Sequence, residues 1–220
     1  MSAPPESPTV LRATSNWLVI DKPPGWHSVH GATGPDREGL GVLATWLAHK
    51  HPELATLPDS GLVHRLDRDT SGCIVVARTA AAHAELAHKF RAGCDVRKIY
   101  VARMATGIAE DGSVTLYFNS RYRRSARMTA AHTGEARNLG RLRWHVRNRD
   151  ARRGDLVEIE LIGAGKRHQI RAGFAHLGHP LIGDARYGGR ADTHAQLHAW
   201  RIELDGEVIE APLPAWARDY

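Results

Sequence analysis

Short segments rich in apolar and β-branched residues predict the strands of this chain. They are Trp17–Gly25, which ends in a Pro-Pro-Gly turn, Cys73–Arg78, Lys98–Met104, Ser113–Phe118, Gly140–Val146, Asp155–Ile162 and Ala195–Leu204. Such runs, bounded by Gly, Pro, Asn and Asp, are typical of strands. The segments between residues 98 and 162 are joined by turns rather than by helices, which favours an antiparallel sheet.

Three segments instead have apolar residues at helical spacing. The first is Glu38–Lys50. In the second, Thr79 is predicted to cap a helix that runs through Phe90, with basic residues near its end and Gly93 just beyond. The third, Lys166–Gly178, is closed by its final glycine. The predicted fold class is therefore α+β, with a mixed, mainly antiparallel sheet flanked by a few helices.

The domain organisation expected from this pattern is simple, because the chain has neither an internal repeat nor a long linker. We expect residues 1–16 to form a flexible polar tail and residues 17–220 to form a single domain. No apolar run approaches the roughly 18 to 20 residues of a membrane span, and the N-terminus lacks the features of a signal peptide. Cys73 and Cys94 are too far apart for a CxxC pair. We therefore expect a cytoplasmic monomer that has no contact with a membrane.

The excess of basic residues indicates a polyanionic partner, since Lys and Arg number 30 against 24 Asp and Glu. Arginine concentrates in "RYRRSAR" (121–127) and "RLRWHVRNRDARR" (141–153), each with an aromatic residue. Arg binds phosphate through two hydrogen bonds, and both Arg and aromatic rings stack on bases. The alternative is a solvated hairpin with long polar side chains. We favour contact with RNA.

The stretch with the most chemical groups is "GLVHRLDRDTSGCIVVAR" (61–78), in which alternating Arg and Asp residues precede a strand. A charged surface turn would explain an isolated "DTSG". Other common chemistries lack their motifs: there is no GxSxG elbow, and "IGAGKR" misses required P-loop positions. The histidines of "HAQLH" have i,i+4 spacing, but the Glu of a zinc protease is absent. We expect neither a metal nor an organic cofactor.

The motif "HRLDRDTSG" (64–72) resembles the signature of the RluA family of RNA pseudouridine synthases. Four further segments resemble that family in the same order: "LVIDKPPGW" (18–26), "RKIYVARMATG" (97–107), "GKRHQIRAGFAHLGHPLIGDARYG" (165–188) and "LHAWRIEL" (197–204). Residues 119–150 depart from the family pattern. The resemblance implies the pseudouridine synthase fold and the isomerisation of uridine to pseudouridine within RNA. Because this reaction needs no redox change, it agrees with the lack of cofactor motifs.

The resemblance also implies a set of site residues. Asp67 matches the catalytic aspartate, Arg171 the arginine that pairs with it, and Tyr100 the active-site tyrosine. Arg65 matches the arginine that enters the RNA stack when the target base is flipped out. Asp69 competes locally with Asp67 but suits a structural role in the turn. The substrate-binding set implied is Arg65, Leu197, His64, Arg167 and His168, and the set proposed for the RNA backbone is Arg121, Arg123 and Arg124.

Several alternatives remain open at this stage. Tyr100 and Leu197 could be ordinary core residues, and Arg171 could contact phosphate from a helix surface. The main rival function is a non-catalytic RNA-binding module on the same fold, and a second is a metal-dependent hydrolase. The substrate could be transfer RNA or ribosomal RNA. Because the resemblance begins near Trp17, we expect no separate S4-like RNA-binding domain and recognition of a local stem-loop.

Overall fold

A computed structural model of the chain describes residues 7–29, 41–120, 122 and 125–220. Within these residues ten strands form one sheet. The strands are β1 (Thr9–Ala13), β2 (Trp17–Lys22), β3 (Ser71–Ala77), β4 (Val96–Met104), β5 (Asp111–Ser120), β6 (Met128–Ala131), β7 (Leu139–Asn148), β8 (Asp155–Ile162), β9 (Leu197–Leu204) and β10 (Glu207–Glu210). The predicted mixed, mainly antiparallel sheet is confirmed.

The strand order brings distant parts of the chain together at the centre of the sheet. It runs β1-β2-β3-β9-β4-β8-β7-β5-β6, and β10 pairs with β9. All pairs are antiparallel except β3 with β9, which are parallel. The end of the "HRLDRDTSG" motif therefore lies beside the start of β9, although the two are far apart in sequence.

The helices follow the predicted positions with shifted ends: α1 is Leu43–Lys50, α2 is Ala80–Ala92 and α3 is Gln169–His176. Thr79 caps α2 by accepting a hydrogen bond from the backbone N–H three residues on, and Gly93 ends it in the left-handed conformation. The first residues of the predicted helix 38–50 lie partly outside the described ranges. In the ranges that are described, no helix has the length and apolarity needed to cross a membrane.

Both faces of the central sheet are covered. On one face α1 and α3 pack on the alternate residues of β2, β3, β4 and β8 that include Ile20, Ile74 and Ile159. On the other face α2 packs through Leu86 and Phe90. Because central strands are buried on both sides, they are almost continuously apolar. The charged "HRLDRDTSG" motif accordingly lies mostly in the loop before β3.

The predicted tail is wrong for part of its length. Thr9–Ala13 forms β1, which pairs antiparallel with β2. Arg12 makes two hydrogen bonds from this strand to Glu207 of β10, at 2.7 and 3.0 Å. This edge strand was missed because it has only five residues, too few to give a clear periodic pattern, and it follows a Pro-rich start. Residues 1–6 lie outside the described ranges.

Candidate active site

Asp67 begins a tight turn that leads into β3. On one side, the Leu66 N–H donates to Ser28 Oγ at 3.0 Å, and the Ser28 hydroxyl lies 2.8 Å from the Leu66 carbonyl. On the other side, the Thr70 N–H donates to the Asp67 carbonyl at 3.1 Å and closes the turn. The backbone at Asp67 is thus fixed from both sides, while its side chain is 24% exposed.

A buried lysine joins this turn to the Pro-Pro-Gly turn after β2. Lys22 is fully buried, and its Nζ donates to the carbonyls of Pro23, Trp26 and Arg68, each at 3.0 Å. Burial lowers the pKa of Lys22 to about 7, but three carbonyl acceptors match the three donors of the ammonium form. Lys22 was missed from the sequence, where "DKPPG" indicated only a turn.

Close backbone packing at Gly72 brings the end of the turn against β9. Gly72 has φ +102° and pairs with Ala199, and a Cβ there would lie 2.3 Å from the Ala199 carbonyl oxygen. Opposite Ala199 the β4–β9 register shifts between Ile99 and Val101. Irregular pairing of this kind often re-aims a side chain near an active site, and here the residue within it is Tyr100.

Arg171 joins two carboxylates. Its Nη1 donates to Asp67 Oδ2 at 2.9 Å, and its Nε and Nη2 donate to the two oxygens of Asp184 at 2.6 and 2.8 Å. The side chain of Arg171 is 9% exposed and that of Asp184 only 1%. Although burial opposes its charge, the two carboxylates raise the pKa of Arg171 above its ordinary value. The predicted pairing of Arg171 with Asp67 is present in the structure.

Asp184 was missed by the sequence analysis, and a single 3₁₀ turn explains its position. The turn Ala185–Tyr187 places Tyr187 three residues after Asp184, so both face Arg171. The Arg171 guanidinium lies 5.3 Å from the centre of the Tyr187 ring. Gly183, with φ +78°, permits the approach, because a Cβ there would lie 1.9 Å from a backbone carbonyl oxygen. The sequence signal that could have identified Asp184 and Tyr187 is the "GDARYG" stretch, which lies within a segment that resembles the family.

His168 stands beside the other oxygen of Asp67. Its Nε2 is 3.7 Å from Asp67 Oδ1, and its Nδ1 is 2.8 Å from the Tyr187 hydroxyl. His168 has φ 54° and precedes the first residue of α3, which explains why the helix begins later than predicted. Since Arg171 follows three residues later, both side chains reach Asp67 from one face. Burial lowers the pKa of His168 to about 4.

Tyr100 and Leu197 are buried residues of β4 and β9. They are 8% and 5% exposed, and both belong to the core cluster that contains α3. Burial, and after it the charge of Asp67, raises the pKa of Tyr100 above its ordinary value. Tyr100 is therefore a neutral phenol at neutral pH. Its ring can pack against a base, whereas a role as a phenolate base is disfavoured.

His64 and Arg65, which precede Asp67 in the motif, have different surroundings. Arg65 is exposed and forms no ion pair within the described residues. His64 points away from the site: its Nε2 accepts the Val75 N–H at 2.9 Å and its ring stacks on Phe90 at 4.2 Å. Burial lowers the pKa of His64 to about 3. The substrate-binding role expected for His64 is therefore replaced by a structural contact with α2.

Arg167 lies on the surface next to the segment before β6. Its Nη2 donates to the Ser125 carbonyl at 2.6 Å and contacts Met128 Sδ at 3.1 Å. The residues proposed for the RNA backbone, Arg121, Arg123 and Arg124, lie outside the described residues. The segment that follows them is held by contacts with Arg167, Arg186 and Tyr187.

The second arginine-rich segment has a different environment from the one expected. Four of its arginines are paired with carboxylates across the β7–β8 region. Arg147 pairs with Glu158. The other pairs are Arg143–Glu160 at 3.3 Å, Arg149–Glu110 and Arg149–Asp155 at 2.9 Å each, and Arg153–Asp150 and Arg153–Asp219 at 2.7 and 2.6 Å. These four arginines are neutralised locally, so the RNA contact favoured from the sequence is not supported for them.

The histidines of "HAQLH" do not face each other as a pair of ligands. His198 is 2% exposed in β9, and its Nδ1 is 2.8 Å from Ser71 Oγ. His194 instead contacts Thr193 at 3.1 Å. Over the part of the chain that is described, no group of three or more His, Cys, Asp or Glu side chains could hold a metal ion.

The fold and this arrangement of residues agree with the sequence comparisons. Residues 16–176 match the family model of RNA pseudouridylate synthase. The chain therefore belongs to the RNA pseudouridylate synthase family, and the resemblance noted from its motifs is confirmed. The match covers the turn of Asp67, Tyr100 and α3.

Two relatives carry the same specific description. The chain is 38% identical over 181 residues to the ribosomal large subunit pseudouridine synthase D of Xylella fastidiosa, covering 82% of this chain and 51% of that protein. It is 36% identical over 224 residues to the protein of the same description from Pseudomonas aeruginosa, covering 90% of this chain and 65% of that protein. The chain thus spans between half and two thirds of the length of these relatives.

A solved structure shows that the fold is shared. Human RNA Pseudouridylate Synthase Domain Containing 4 superposes with a TM-score of 0.71 at 20% identity, covering 96% of this chain and 90% of that one. The pseudouridine synthase fold expected from the sequence is confirmed.

Proposed function

We propose that this protein isomerises uridine to pseudouridine within RNA of the large ribosomal subunit. The observation that carries the proposal is the pairing of Asp67 with Arg171, which is itself held by buried Asp184. A surface turn with no catalytic role would not need a buried arginine clamped by a second carboxylate. The description of the relatives supports ribosomal rather than transfer RNA.

The chemistry requires one ionised carboxylate beside a flipped nucleotide. Asp67 acts as a nucleophile or a base toward the sugar, and Arg171 stabilises the ionised form through a charge-assisted hydrogen bond. The C1′–N1 bond breaks, the uracil turns, a C1′–C5 bond forms and C5 then loses its proton. Tyr100 and Leu197 would pack on the uracil and exclude water. The released C5 proton balances the proton gained at N1.

Access to the target uridine requires base flipping, which costs a few kcal/mol. Arg65 is well placed to assist, because it is exposed two residues before Asp67 and has no ion pair among the described residues. Its planar guanidinium can stack on the bases that flank the gap.

Charge distribution supports an RNA path across the face that carries Asp67. Arg65 and Arg186 are exposed there without a carboxylate partner in the described residues, whereas Arg143 and Arg147 pair with carboxylates. Each arginine that contacts phosphate should contribute about 0.7 to 0.9 to the slope of log affinity against log salt. We expect the Arg65→Ala, Arg186→Ala double variant to flatten that slope by more than one. The matched Arg143→Ala, Arg147→Ala variant should leave it unchanged, and equal slopes for both variants would refute this path.

The test of the function itself combines cellular and purified RNA. Pseudouridine is mapped in cells with and without the gene, and the purified protein is then offered the RNA that lost a modification. Asp67→Asn should abolish conversion while leaving RNA affinity within a few fold, and Asp69→Asn should retain activity. No conversion by the unaltered protein, or turnover by Asp67→Asn near its level, would refute the proposal. A lost modification in transfer RNA would refute only the ribosomal assignment.

A further inference from the structure

The segment Ser125–Met128 is attached to the active site by main-chain contacts. Arg167 binds the Ser125 carbonyl at 2.6 Å and Arg186 binds the Ala126 carbonyl at 2.7 Å. The Met128 N–H donates to the Tyr187 hydroxyl at 2.8 Å. These three anchors hold the main chain at Ser125, Ala126 and Met128, so they fix the position of the segment whatever its own side chains are.

Tyr187 is the point at which the segment and the catalytic groups meet. The guanidiniums of Arg127 and Arg171 lie 5.2 and 5.3 Å from the centre of its ring. Its hydroxyl contacts the Met128 N–H on one side and His168 Nδ1 on the other, each at 2.8 Å. Tyr187 is 5% exposed, so water cannot easily replace these partners.

Counting donors and acceptors assigns the proton on the imidazole. The Tyr187 oxygen accepts from Met128, so its own proton needs an acceptor, and within the described residues His168 Nδ1 is the one in reach. The His168 proton then resides on Nε2, which faces Asp67 Oδ1 at 3.7 Å. The opposite tautomer would leave the hydroxyl proton without a partner and turn a nitrogen lone pair toward a carboxylate oxygen. Burial, which lowers the pKa of His168 to about 4, keeps the ring neutral.

We propose that Tyr187 and His168 are positioning residues for Asp67, and that the seating of Ser125–Met128 on Tyr187 maintains their alignment. Arg171 occupies Asp67 Oδ2, while the Nε2–H of His168 faces Oδ1 at 3.7 Å, beyond hydrogen-bond distance, and favours one orientation of the carboxylate through its dipole. This inference rests on the proposed function and adds a route by which RNA contact near the segment reaches the catalytic carboxylate.

The first experiment compares single-turnover conversion of saturating RNA by two single variants and their combination. Tyr187→Phe removes only the hydroxyl and keeps the ring beneath both guanidiniums. His168→Gln keeps an amide N–H near the position of Nε2 but no longer depends on Tyr187. We expect Tyr187→Phe to lower the rate about tenfold with RNA affinity within threefold, and to add nothing to His168→Gln. The proposal would be overturned if Tyr187→Phe left the rate unchanged. It would also be overturned if the double variant were a further tenfold slower than His168→Gln.

Tyr117→Phe is the matched control, because Tyr117 lies in β5 and its hydroxyl has no hydrogen bond among the described residues. It should convert RNA at the unaltered rate. A loss equal to that of Tyr187→Phe would mean that any tyrosine change in this region disturbs the site, which would overturn a specific role for Tyr187.

The second experiment does not depend on how Tyr187→Phe folds. Nitrogen-15 spectra of the histidine side chains in the unaltered protein, assigned with His168→Gln, distinguish a proton on Nε2 from one on Nδ1. We expect the Nε2–H tautomer for His168, and an Nδ1–H tautomer would overturn the proposal even if Tyr187→Phe does not fold. By contrast, absence of conversion by the unaltered protein would overturn the proposed function and leave the tautomer measurement intact.

Discussion

Asp184→Asn is the substitution whose consequences the structure specifies most closely. Asp184 is 1% exposed and binds Arg171 through both oxygens, at 2.6 and 2.8 Å. An asparagine has nearly the same shape, but it removes the charge and one acceptor. Breaking a buried ion pair by neutralising one partner costs about 3–5 kcal/mol. Because Arg171 keeps its bond to Asp67, we expect a loss near the lower limit, about 3 kcal/mol of unfolding free energy.

The same change should reduce turnover. Without the two-point clamp, the Arg171 guanidinium can rotate, and Asp67 loses its fixed orientation. Misplacement of a catalytic group by about 1 Å can cost on the order of a hundredfold in rate, so we expect a loss of at least about tenfold with RNA affinity little changed. Urea unfolding and single-turnover conversion measure the two effects separately.

The matched control is Asp69→Asn, two residues from the catalytic carboxylate. Asp69 pairs with Arg68 at 2.9 Å, but both side chains are partly exposed, and such pairs contribute about 0–1 kcal/mol. Its stability and turnover should stay close to those of the unaltered protein. If Asp184→Asn were as mild as Asp69→Asn in both assays, Asp184 would not be the residue that holds Arg171.

Three further outcomes are expected. Arg171→Lys should lower turnover strongly with the fold retained, since one ammonium cannot bind both carboxylates as the planar fork does, and normal turnover would contradict the pairing. Gly72→Ala should lower both the thermal midpoint and turnover, because its Cβ would lie 2.3 Å from a carbonyl oxygen; an unchanged midpoint would argue against that close packing. Burial lowers the pKa of His64 to about 3 from 6.5, so the unfolded chain binds the proton first as the pH falls below about 6.5. Unfolding free energy should then fall by up to about 1.4 kcal/mol per pH unit, a slope that His64→Gln should reduce in urea titrations and exposed His88→Gln should not.

The elements of the sheet could be predicted because apolar periodicity is a local property. Strands β4, β7 and β8 and the cap of α2 were identified to within a few residues. β1 was missed because its pairing with β2, rather than its own composition, stabilises it. Tertiary pairing of this kind leaves little trace in a short segment.

The pairing of Asp67 with Arg171 was available only through family resemblance. Asp67 and Arg171 are 104 residues apart, and nothing in either segment specifies the other as a partner. Asp184 and Tyr187 were quoted within the matching "GDARYG" stretch but received no role, because their contacts depend on a 3₁₀ turn folding against α3. His64 illustrates the opposite error, since it lies within the matching motif but its ring stacks on Phe90 of α2.

The two arginine-rich segments show where a sharper sequence argument was possible. Outward positions of β7 carry Arg143 and His145, and outward positions of β8 carry Glu158 and Glu160. Had the two strands been aligned antiparallel by their alternation, these charges would have faced each other, since cross-strand pairs lie about 4.5–5.5 Å apart. Clustered arginine therefore indicates nucleic-acid contact only where the neighbouring strand offers no matching carboxylates. In the described part of this chain, that condition fails across β7 and β8, where Glu158 and Glu160 lie opposite His145 and Arg143.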